Sequence, residues 1–324
     1  MAESRATAAP QAGGDPQRVV TDLAAVPREP SAVSIGFFDG VHRGHQAIIA
    51  GAARRARERG LRSAVVTFDR HPMEVVAPGS QPKLLMTLER RVRTIAEQDV
   101  DVVVVLRFDD ELRHRSPEEF VDGVLVGPLG ARSVIVGANF RFGHRAAGDL
   151  ERLSQLGQTR GFDVDGVSLL ELDGVVISSS AIRARVDVGD VAAAARMLGR
   201  AHLVDGVVVR GDRRGVSLGY PTANLQVSRR AAVPARGVYA GMFHRPDGSR
   251  HPCATSVGVN PTFGGQELRV EAHLIDFAGD LYGERVAVDF RHRLRGELRF
   301  DGADALVARM HEDVTTARRL LGLA

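Results

Sequence analysis

The order of structural elements in the first half of the chain is set by the stretch SAVSIGFFDGVHRGHQAIIAGAARRARERG, residues 31–60. Its first residues, Ser31–Gly36, form a short apolar run that predicts a buried strand. A glycine-containing turn with two histidines follows, and Gln46–Arg59 has the pattern of a helix that ends at Gly60. The stretch therefore predicts a strand, a tight turn and a helix, the repeating unit of a parallel sheet.

The rest of the first half repeats this alternation. Asp101–Phe108 contains the run Val-Val-Val-Val-Leu, typical of a strand covered on both faces. Ser116-Pro117-Glu118-Glu119 has the pattern of a capping box with proline at the first helical position. The alternation predicts a Rossmann-like α/β domain with a mainly parallel sheet and helices on both faces, where ligands bind beyond the carboxyl ends of the strands. The other predicted elements are strands over Ser63–Phe68 and Ser133–Val136 and a helix over Leu88–Gln98.

The sequence pattern changes after a predicted Ala-rich helix, Asp190–Leu198. Asp190 is its expected N-cap, and Gly199 is expected to end it. From Leu203 onward, short β-type runs are broken by Gly, Pro and Asn, which predicts a small antiparallel barrel followed by an amphipathic helix over Ala303–Leu321. We expect a disordered tail over 1–17, an α/β domain over 18–200 and a barrel domain over 203–324. The predicted barrel strands are Gly206–Arg210, Gly237–Phe243, Cys253–Val259, Leu268–Ile275 and Arg285–Phe290.

Composition excludes several classes of protein. The 324 residues are 44% hydrophobic and 26% charged, the balance of a globular protein. They contain no apolar run of about 18 residues and no secretory signal, so we expect no membrane partner and a cytoplasmic location. The single cysteine, Cys253, excludes an internal disulfide and a cysteine-cluster zinc site. The net charge of +3 is spread along the chain, so no nucleic-acid partner is expected either.

The near absence of lysine limits how ATP could be bound. The only lysine, Lys83, lies in neither a P-loop nor a protein-kinase context. A site for ATP in this chain must therefore hold the phosphates with other groups.

The first candidate site is the turn that contains His42 and His45. These histidines lie at a predicted helix start, where free N–H groups and the helix dipole favour an anion such as phosphate. Gly44 lets a ligand approach the backbone, and imidazoles can stabilise charge that develops on phosphorus. The alternative is a turn whose histidines only cap the helix, but the strand, glycine turn and helix together favour a phosphate site.

The second candidate site follows a glycine-rich basic loop that contains Gly211, Gly215 and Gly219. Pro221 favours an extended path, so Thr222 and Asn224 point the same way. A hydroxyl and an amide oxygen on one face can bind Mg²⁺ together with phosphate oxygens. The alternative is a plain turn in which these side chains bond the backbone.

Glu271 is a candidate general base in the same half of the chain. It alternates with apolar residues and shares a face with His273. We interpret Glu271 as a carboxylate aimed into the small barrel, which is costly unless it has a partner or a task, such as taking a proton from a hydroxyl. The alternative is a solvated residue at a sheet edge.

Four segments of the first half together resemble the adenylyltransferase half of the bifunctional riboflavin kinase/FMN adenylyltransferases. They are Gly36–His45, Thr67–Pro72, Val136–Gly143 and Ile177–Arg183. The resemblance implies that His42 and His45 contact ATP phosphates and the transition state. The other implied ATP contacts are Gly36, Phe38, Gly44, Asn139, Ser179, Ser180 and Arg183, the last three for pyrophosphate, and the implied FMN contacts are Phe68, Asp69 and His71.

Three positions depart from that family pattern. Arg70 stands where proline is usual, Ser180 replaces the usual threonine, and Val176 lies where members often carry a basic residue.

The stretch from Gly206 to about Phe300 resembles a riboflavin kinase domain. It includes Gly215–Leu225, Ser256–Phe263, Val270–Phe277 and Leu294–Glu297. The resemblance implies that Thr222 and Asn224 bind Mg²⁺ and ATP phosphates and that Glu271 activates the ribityl 5′-hydroxyl. The glycines Gly211, Gly215 and Gly219 would contact ATP, and Arg295 and Glu297 the flavin.

The two resemblances together predict an enzyme that makes FMN from riboflavin and ATP, and then FAD from FMN and a second ATP. Riboflavin, FMN and FAD are then substrates and products, ATP the co-substrate and Mg²⁺ the cofactor. Three alternatives stay open: an enzyme with one decayed site, a flavin sensor without turnover, and an adenylyltransferase with another acceptor. The partners expected are small molecules, and whether copies of the chain form a homo-oligomer is left open.

Overall fold

The computed structural model describes residues 19–211, 215, 218–262 and 265–323, with the side chains of 260–262 and 265–267 left out. The predicted tail over 1–17 lies outside the described residues. The chain divides into two compact units. The first contains the described residues up to Gln81 together with Leu88–Glu171, and the second contains Pro82–Thr87 and the described residues from Leu172 onward.

The first unit is built on a parallel sheet of six strands in the order β1-β4-β3-β2-β5-β6, as the alternating pattern predicts. Its strands are β1 Val19–Val20, β2 Ser31–Ile35, β3 Arg62–Phe68, β4 Val102–Leu106, β5 Ala131–Gly137 and β6 Asp163–Val167. Its helices are α1 Arg43–Arg59, α2 Met73–Val76, α3 Leu88–Ala96, α4 Asp110–His114, α5 Pro117–Phe120 and α6 Leu150–Arg160.

Helices cover both faces of this sheet. On one face, Ala32 and Ile135 pack against Ala52 and Ala56 of α1. On the other, alternate residues of the same strands pack against the segment that follows α5, where Val121–Val126 forms a π-helical turn. The predicted capping box at Ser116 is present, with Glu119 bonding back to the Ser116 backbone. This two-sided cover explains why the central strands read as unbroken apolar runs.

The order of strands reverses at β2. From β2 the chain adds β3 and β4 on one side, and β5 and β6 lie on the other. In open α/β sheets the crevice beyond such a reversal is where ligands bind. The loops that follow β2 and β5 meet there, and they carry the histidine turn and Asn139.

The second unit is a closed antiparallel barrel with helices outside it. The strands β12, β13, β10, β9, β14 and β11 pair in that order, and the pairing of β11 with β12 closes the ring. The strands are β9 His202–Val209, β10 Ala223–Val227, β11 Gly237–His244, β12 Arg250–Thr262, β13 Gly265–Leu274, β14 Arg285–Phe290 and β15 His292–Arg295, the last pairing with β11. The other elements are the two-residue strands β7 Glu171–Leu172 and β8 Val175–Val176 and the helices α7 Ser179–Asp187, α8 Val191–Leu198 and α9 Ala303–Leu320.

The contacts of the second unit extend beyond the predicted barrel domain. Val191 of α8 is buried in the barrel core. The backbone of Leu84 forms hydrogen bonds of 2.7 and 2.8 Å with Arg230 and Ala232. Residues that the sequence places in the α/β domain therefore pack on the barrel. The boundary at 200–203 remains a prediction about which residues each activity needs.

Candidate active sites

The turn between β2 and α1 is held in an uncommon backbone conformation. Phe38 and Val41 have positive φ angles of 55° and 37°, and both side chains are buried. The Phe38 ring lies over Gly36, where a Cβ would come within 2.8 Å of it. Only glycine fits under the ring, and strained, buried residues of this kind concentrate at functional sites.

His42 and His45 form a stacked pair at the start of α1. His42 is the N-cap, and its Nδ1 accepts a hydrogen bond from the backbone N–H of His45 at 3.3 Å. The ring centroids are 3.5 Å apart. Because Nδ1 of His42 accepts this hydrogen bond, the neutral ring carries its proton on Nε2. Helix α1 therefore begins at Arg43, earlier than predicted, because a histidine caps it.

His45 is held neutral. Burial, followed by the charge of His42 and that of Arg91, lowers the pKa of His45 well below its ordinary value. Its Nδ1 is buried and has no hydrogen-bond partner among the described residues. A buried nitrogen without a partner at the start of a long helix is a group that a ligand could satisfy.

The end of β3 supplies Phe68, Asp69 and His71. The His71 ring meets the edge of Phe37 with centroids 4.8 Å apart. Asp69 accepts the Phe108 backbone N–H at 2.9 Å and a hydrogen bond of 2.7 Å from Arg70. Arg70, the departure from the family pattern, thus pairs with the neighbouring carboxylate that the family assigns to the FMN side.

A cavity of about 920 Å³ opens at the carboxyl ends of the strands in the first unit. It brings together Gly36, Phe68 and Asn139 of the predicted site, whereas His42, His45, Asp69 and His71 are not among its lining residues. Its walls are rich in aromatic rings that the sequence reasoning did not assign to a site. The rings and basic groups added by the structure are Phe37, Phe108, Phe120, Phe140, Phe142, Arg113, His114, Arg141, His144 and Arg145.

Two histidines stand at the polar side of this cavity. The rings of His114 and His144 stack with centroids 5.2 Å apart. Each Nδ1 is bonded to a backbone carbonyl, that of Asp110 at 2.6 Å and that of Arg113 at 3.2 Å. The cavity therefore has an aromatic interior and a basic edge, which suits a planar ring that carries polar atoms.

The serine segment lies at the start of α7, in the second unit. Ser178 caps the helix by accepting the Ala181 backbone N–H at 3.2 Å. Ser179 and Ser180 fall in the first turn, and Arg183 donates to the Ser180 hydroxyl at 3.3 Å. Capping is thus the task of Ser178, and the predicted pyrophosphate contacts are the two serines after it. Val176 is exposed on β8.

The barrel places the predicted kinase residues on neighbouring strands. Asn224 on β10 stands directly opposite Glu271 on β13, and Ser256 on β12 pairs with Glu271 from the other side. Their strand neighbours, such as Leu225 and Ala272, are buried in the barrel core. Because side chains alternate along strands, Asn224, Glu271 and Ser256 share the outer face.

This geometry corrects one expectation. Glu271 does not point into the barrel: it lies on the outer face with its side chain 31% exposed. The only ion pair described for it is with Arg269, whose Nη1 is 3.6 Å from the carboxylate. A partly exposed carboxylate can reach a substrate on the barrel surface, and it avoids the burial cost that the sequence interpretation assumed.

The glycine-rich loop packs against Asn224 and Thr222. A Cβ on Gly211 would fall 2.4 Å from the Asn224 carboxamide. A Cβ on Gly215 would fall 2.2 Å from the Tyr220 carbonyl oxygen, and Gly219 has a φ angle of 82°. Residues 212–214, 216 and 217 lie outside the described residues. Backbone therefore comes close to Thr222 and Asn224, as a loop that cradles phosphates requires.

Arg295 and Glu297 have structural contacts in addition to their predicted flavin role. Arg295 forms a largely buried ion pair of 2.8 Å with Asp313, which joins β15 to α9. Glu297 lies 3.7 Å from Arg236. Contact with flavin stays a prediction for both.

Two general observations concern membranes and metals. None of the described helices is long and apolar enough to cross a membrane. Within the described part of the chain, no group of three or more His, Cys, Asp or Glu side chains could hold a metal ion. The oxygen donors Thr222 and Asn224 fit Mg²⁺, which usually takes few protein ligands and completes its shell with phosphates and water.

The first unit combines a parallel sheet with a helix N-terminus suited to phosphate, and the second is an antiparallel barrel with a glycine-rich loop. Together the two units define a transferase with two domains. Two family models match accordingly: FAD synthetase over residues 25–181 and riboflavin kinase over residues 198–321. The chain belongs to the family of bifunctional riboflavin kinase/FMN adenylyltransferases, which confirms the resemblance seen in the sequence.

Individual relatives cover nearly the whole chain. The bifunctional riboflavin kinase/FMN adenylyltransferase of Pseudomonas fluorescens is 42% identical over 89% of this chain and 92% of its own. That of Escherichia coli K12 is 36% identical over 94% and 97%. A crystal structure from Streptococcus pneumoniae, titled a macrolide-efflux protein, is 30% identical with a TM-score of 0.83 over 93% of this chain and 98% of that one. The likeness to that structure concerns sequence and fold and brings no transport activity to this chain.

Proposed function

We propose how the two units of this bifunctional enzyme divide its reactions and which residues perform them. The barrel transfers the γ-phosphoryl group of ATP to riboflavin and gives FMN and ADP. The parallel-sheet unit transfers the adenylyl group of a second ATP to FMN and gives FAD and pyrophosphate. The match of each family model to a different part of the chain supports this division.

The observation that carries the adenylyl transfer is the aromatic cavity beside the histidine turn. The flavin ring would enter the cavity among Phe68, Phe108 and Phe140. FMN would then direct its phosphate toward the start of α1, where the phosphates of ATP bind. An oxygen of the FMN phosphate attacks the α-phosphorus of ATP, the new P–O bond forms, and the bond to pyrophosphate breaks.

The histidine pair would stabilise charge in this step. His42 can donate from Nε2 because its Nδ1 is occupied by the His45 backbone. A neutral His45 can donate one N–H without the repulsion that two stacked imidazolium ions would suffer. Donors fixed in advance at the place where charge develops are among the largest contributions to catalysis. Asn139 would hold ATP, and Ser179, Ser180 and Arg183 would receive the pyrophosphate.

In the barrel, Glu271 would take the proton of the ribityl 5′-hydroxyl as its oxygen attacks the γ-phosphorus. The oxygens of Thr222 and Asn224 would hold Mg²⁺, which supplies charge neutralisation for the transferring phosphoryl group. Asn224 lies directly opposite Glu271, so the metal-binding and base positions are neighbours on one face.

One incubation tests the proposal against its rivals. The protein is mixed with riboflavin, ATP and Mg²⁺, and the flavins are separated over time. We expect FMN to appear first and FAD to follow with pyrophosphate. A bound flavin without turnover would indicate a sensor. Accumulation of FMN without FAD would contradict adenylyl transfer to FMN and would fit either a decayed site or another acceptor.

Two further expectations stay predictions. A cytoplasmic location would be checked by fractionation of the source cells, and the number of copies in the assembly by native mass measurement.

A further inference from the structure

We infer that Arg91 is a positioning residue for the adenylyl-transfer site: its buried guanidinium fixes the Phe37 ring and the end of β3 behind the cavity and places a positive charge beside the histidine pair. The inference rests on the proposed adenylyl transfer in the first unit. Arg91 belongs to none of the motifs that carried the family resemblance.

Arg91 is buried where a surface arginine would be expected. It lies on α3 and is 1% exposed. Its spacing from Leu88, Val92 and Ile95 places it in the apolar stripe of the helix, three residues after the first and one turn before the last. Arginine is rarely so buried unless it has partners, and its burial therefore calls for an explanation.

The contacts of Arg91 reach two walls of the cavity. Its guanidinium carbon is 4.1 Å from the centroid of the Phe37 ring. Its Nη2 donates to the carbonyl oxygen of Phe68, the last residue of β3. Phe37 and Phe68 both line the cavity, and Phe37 in turn packs against His71. The Arg91 side chain thus contacts the Phe37 ring, which follows β2, and the Phe68 backbone, which ends the neighbouring strand β3.

The charge of Arg91 is the second part of the inference. Burial lowers its pKa to about 10, while Asp39, Asp69 and Glu74 favour the charged form. Arg91 is therefore charged at neutral pH. The groups whose charges act on His45 are His42 and Arg91, and both oppose its protonation. Removal of the guanidinium should raise the pKa of His45.

The test uses the full-length protein with Arg91→Lys and Arg91→Met. Arg93→Met is the control, because Arg93 lies on the same helix but is exposed and, among the described residues, forms its ion pair with Glu89 one turn away. FAD formation from FMN and ATP is measured between about pH 4 and pH 8, a range that extends well below an ordinary histidine pKa because burial lowers the pKa of His45. Thermal unfolding is followed in parallel.

Arg91→Lys keeps the charge and loses the flat face over Phe37. We expect the KM for FMN to rise about 3- to 30-fold, the range of a desolvated cation–π contact, with little change in kcat. The acid limb of the kcat/KM profile should stay in place. Arg91→Met loses the charge as well, and its acid limb should move to higher pH by roughly half a unit or more. Titration of FMN itself cancels because each variant is compared with wild type on the same substrate.

A wild-type KM for FMN in Arg91→Lys overturns the inference, and so does an Arg91→Met protein that folds and keeps the wild-type acid limb. A fall in kcat alone in both variants, matched by lower thermal stability, would make Arg91 a merely structural residue and also overturns it. If Arg91→Met does not fold, the Lys variant decides. If wild-type protein makes no FAD from FMN, the proposed function fails instead.

Discussion

The site of the parallel sheet and the site of the barrel hold their chemical groups in opposite ways. In the first unit, groups from distant segments converge because parallel strands end at one edge, and the key side chains are buried or backed by buried ones. In the second unit, Asn224, Glu271 and Ser256 are aligned by strand register on an outer face. One site is assembled by topology, and the other by alternation along neighbouring strands.

The difference explains how a chain with one lysine can handle ATP at two places. In the proposed division, the first site would rely on a helix start, a stacked histidine pair and a buried arginine. The second would rely on backbone brought close by glycines and on oxygen donors that suit Mg²⁺. Perturbed pKa values accordingly occur near the first site, at His45 and Arg91, because burial there is deep.

The largest effect expected from a single substitution is on the barrel. Glu271→Gln keeps the shape of the side chain and loses its basicity, so riboflavin phosphorylation should fall about 10²- to 10⁴-fold with small changes in KM. Glu312→Gln, an exposed carboxylate of the same unit, is the control. Steady-state kinetics with riboflavin and ATP measure the effect. Unchanged turnover in Glu271→Gln would return this residue to a structural role.

His45→Ala should separate the two sites most clearly. Loss of a fixed donor at the start of α1 should depress FAD formation from FMN about 10²- to 10³-fold. Riboflavin phosphorylation, measured on the same preparation, should stay near wild type. An equal loss of both activities in a folded protein would contradict two independent sites.

A glycine substitution tests whether backbone proximity matters in the barrel. In Gly211→Ala the new Cβ would overlap the Asn224 carboxamide, which must then move. We expect riboflavin phosphorylation to fall by on the order of 10- to 10²-fold and to need more Mg²⁺, since a small displacement of a positioning group is costly. Gly302→Ala is the control because nothing lies within 4 Å of its Cβ position. If Gly211→Ala keeps the Mg²⁺ dependence of the wild type, the assignment of Asn224 as a metal ligand is wrong.

The smallest effect concerns stability. Burial lowers the pKa of His202 to about 4, and its Nε2 is bonded to the Ala232 carbonyl at 2.7 Å. The unfolded chain takes up this proton near pH 6.5 and the folded chain does not, so stability is full above about pH 6.5 and falls as the pH drops toward 4. His202→Gln cannot titrate. It should reduce the loss of unfolding free energy between pH 7 and 5 by about 1–2 kcal/mol. Denaturant unfolding followed in the barrel unit checks this, and identical pH dependence in both proteins would contradict it.

Much of the fold could be predicted because local patterns and tertiary packing agree. Val102–Leu106 reads as a strand covered on both faces and is one, and Asp190 and Gly199 cap α8 as expected. The histidine turn also follows from the sequence, whereas the register that places Asn224 opposite Glu271 required the structure. What could not be predicted depends on which elements pack together. The cavity walls Phe108 and Phe120 come from segments that carry no family motif. The placement of Glu271 in the barrel was wrong, although its apolar neighbours Val270 and Ala272 mark the opposite face of the strand as the core.

Arg91 is an intermediate case. In Leu88–Ala96 the sequence shows three arginines, and a surface role is the ordinary expectation for each. Only Arg91 falls on the stripe defined by Leu88, Val92 and Ile95. The helical period could therefore have marked it, although its contacts with Phe37 and Phe68 required the structure.

The segment Pro82–Thr87 has a consequence for biosynthesis. Leu84 pairs with Arg230 and Ala232, so it leaves the ribosome more than a hundred residues before the loop backbone to which it is hydrogen-bonded. During translation this segment has no partner until the barrel emerges, and completion of the barrel unit closes a very long loop. A cut of the gene at residues 200–203 would separate the segment from its partner. Independent production of the barrel would then need a sequence that covers the exposed backbone of Arg230–Ala232.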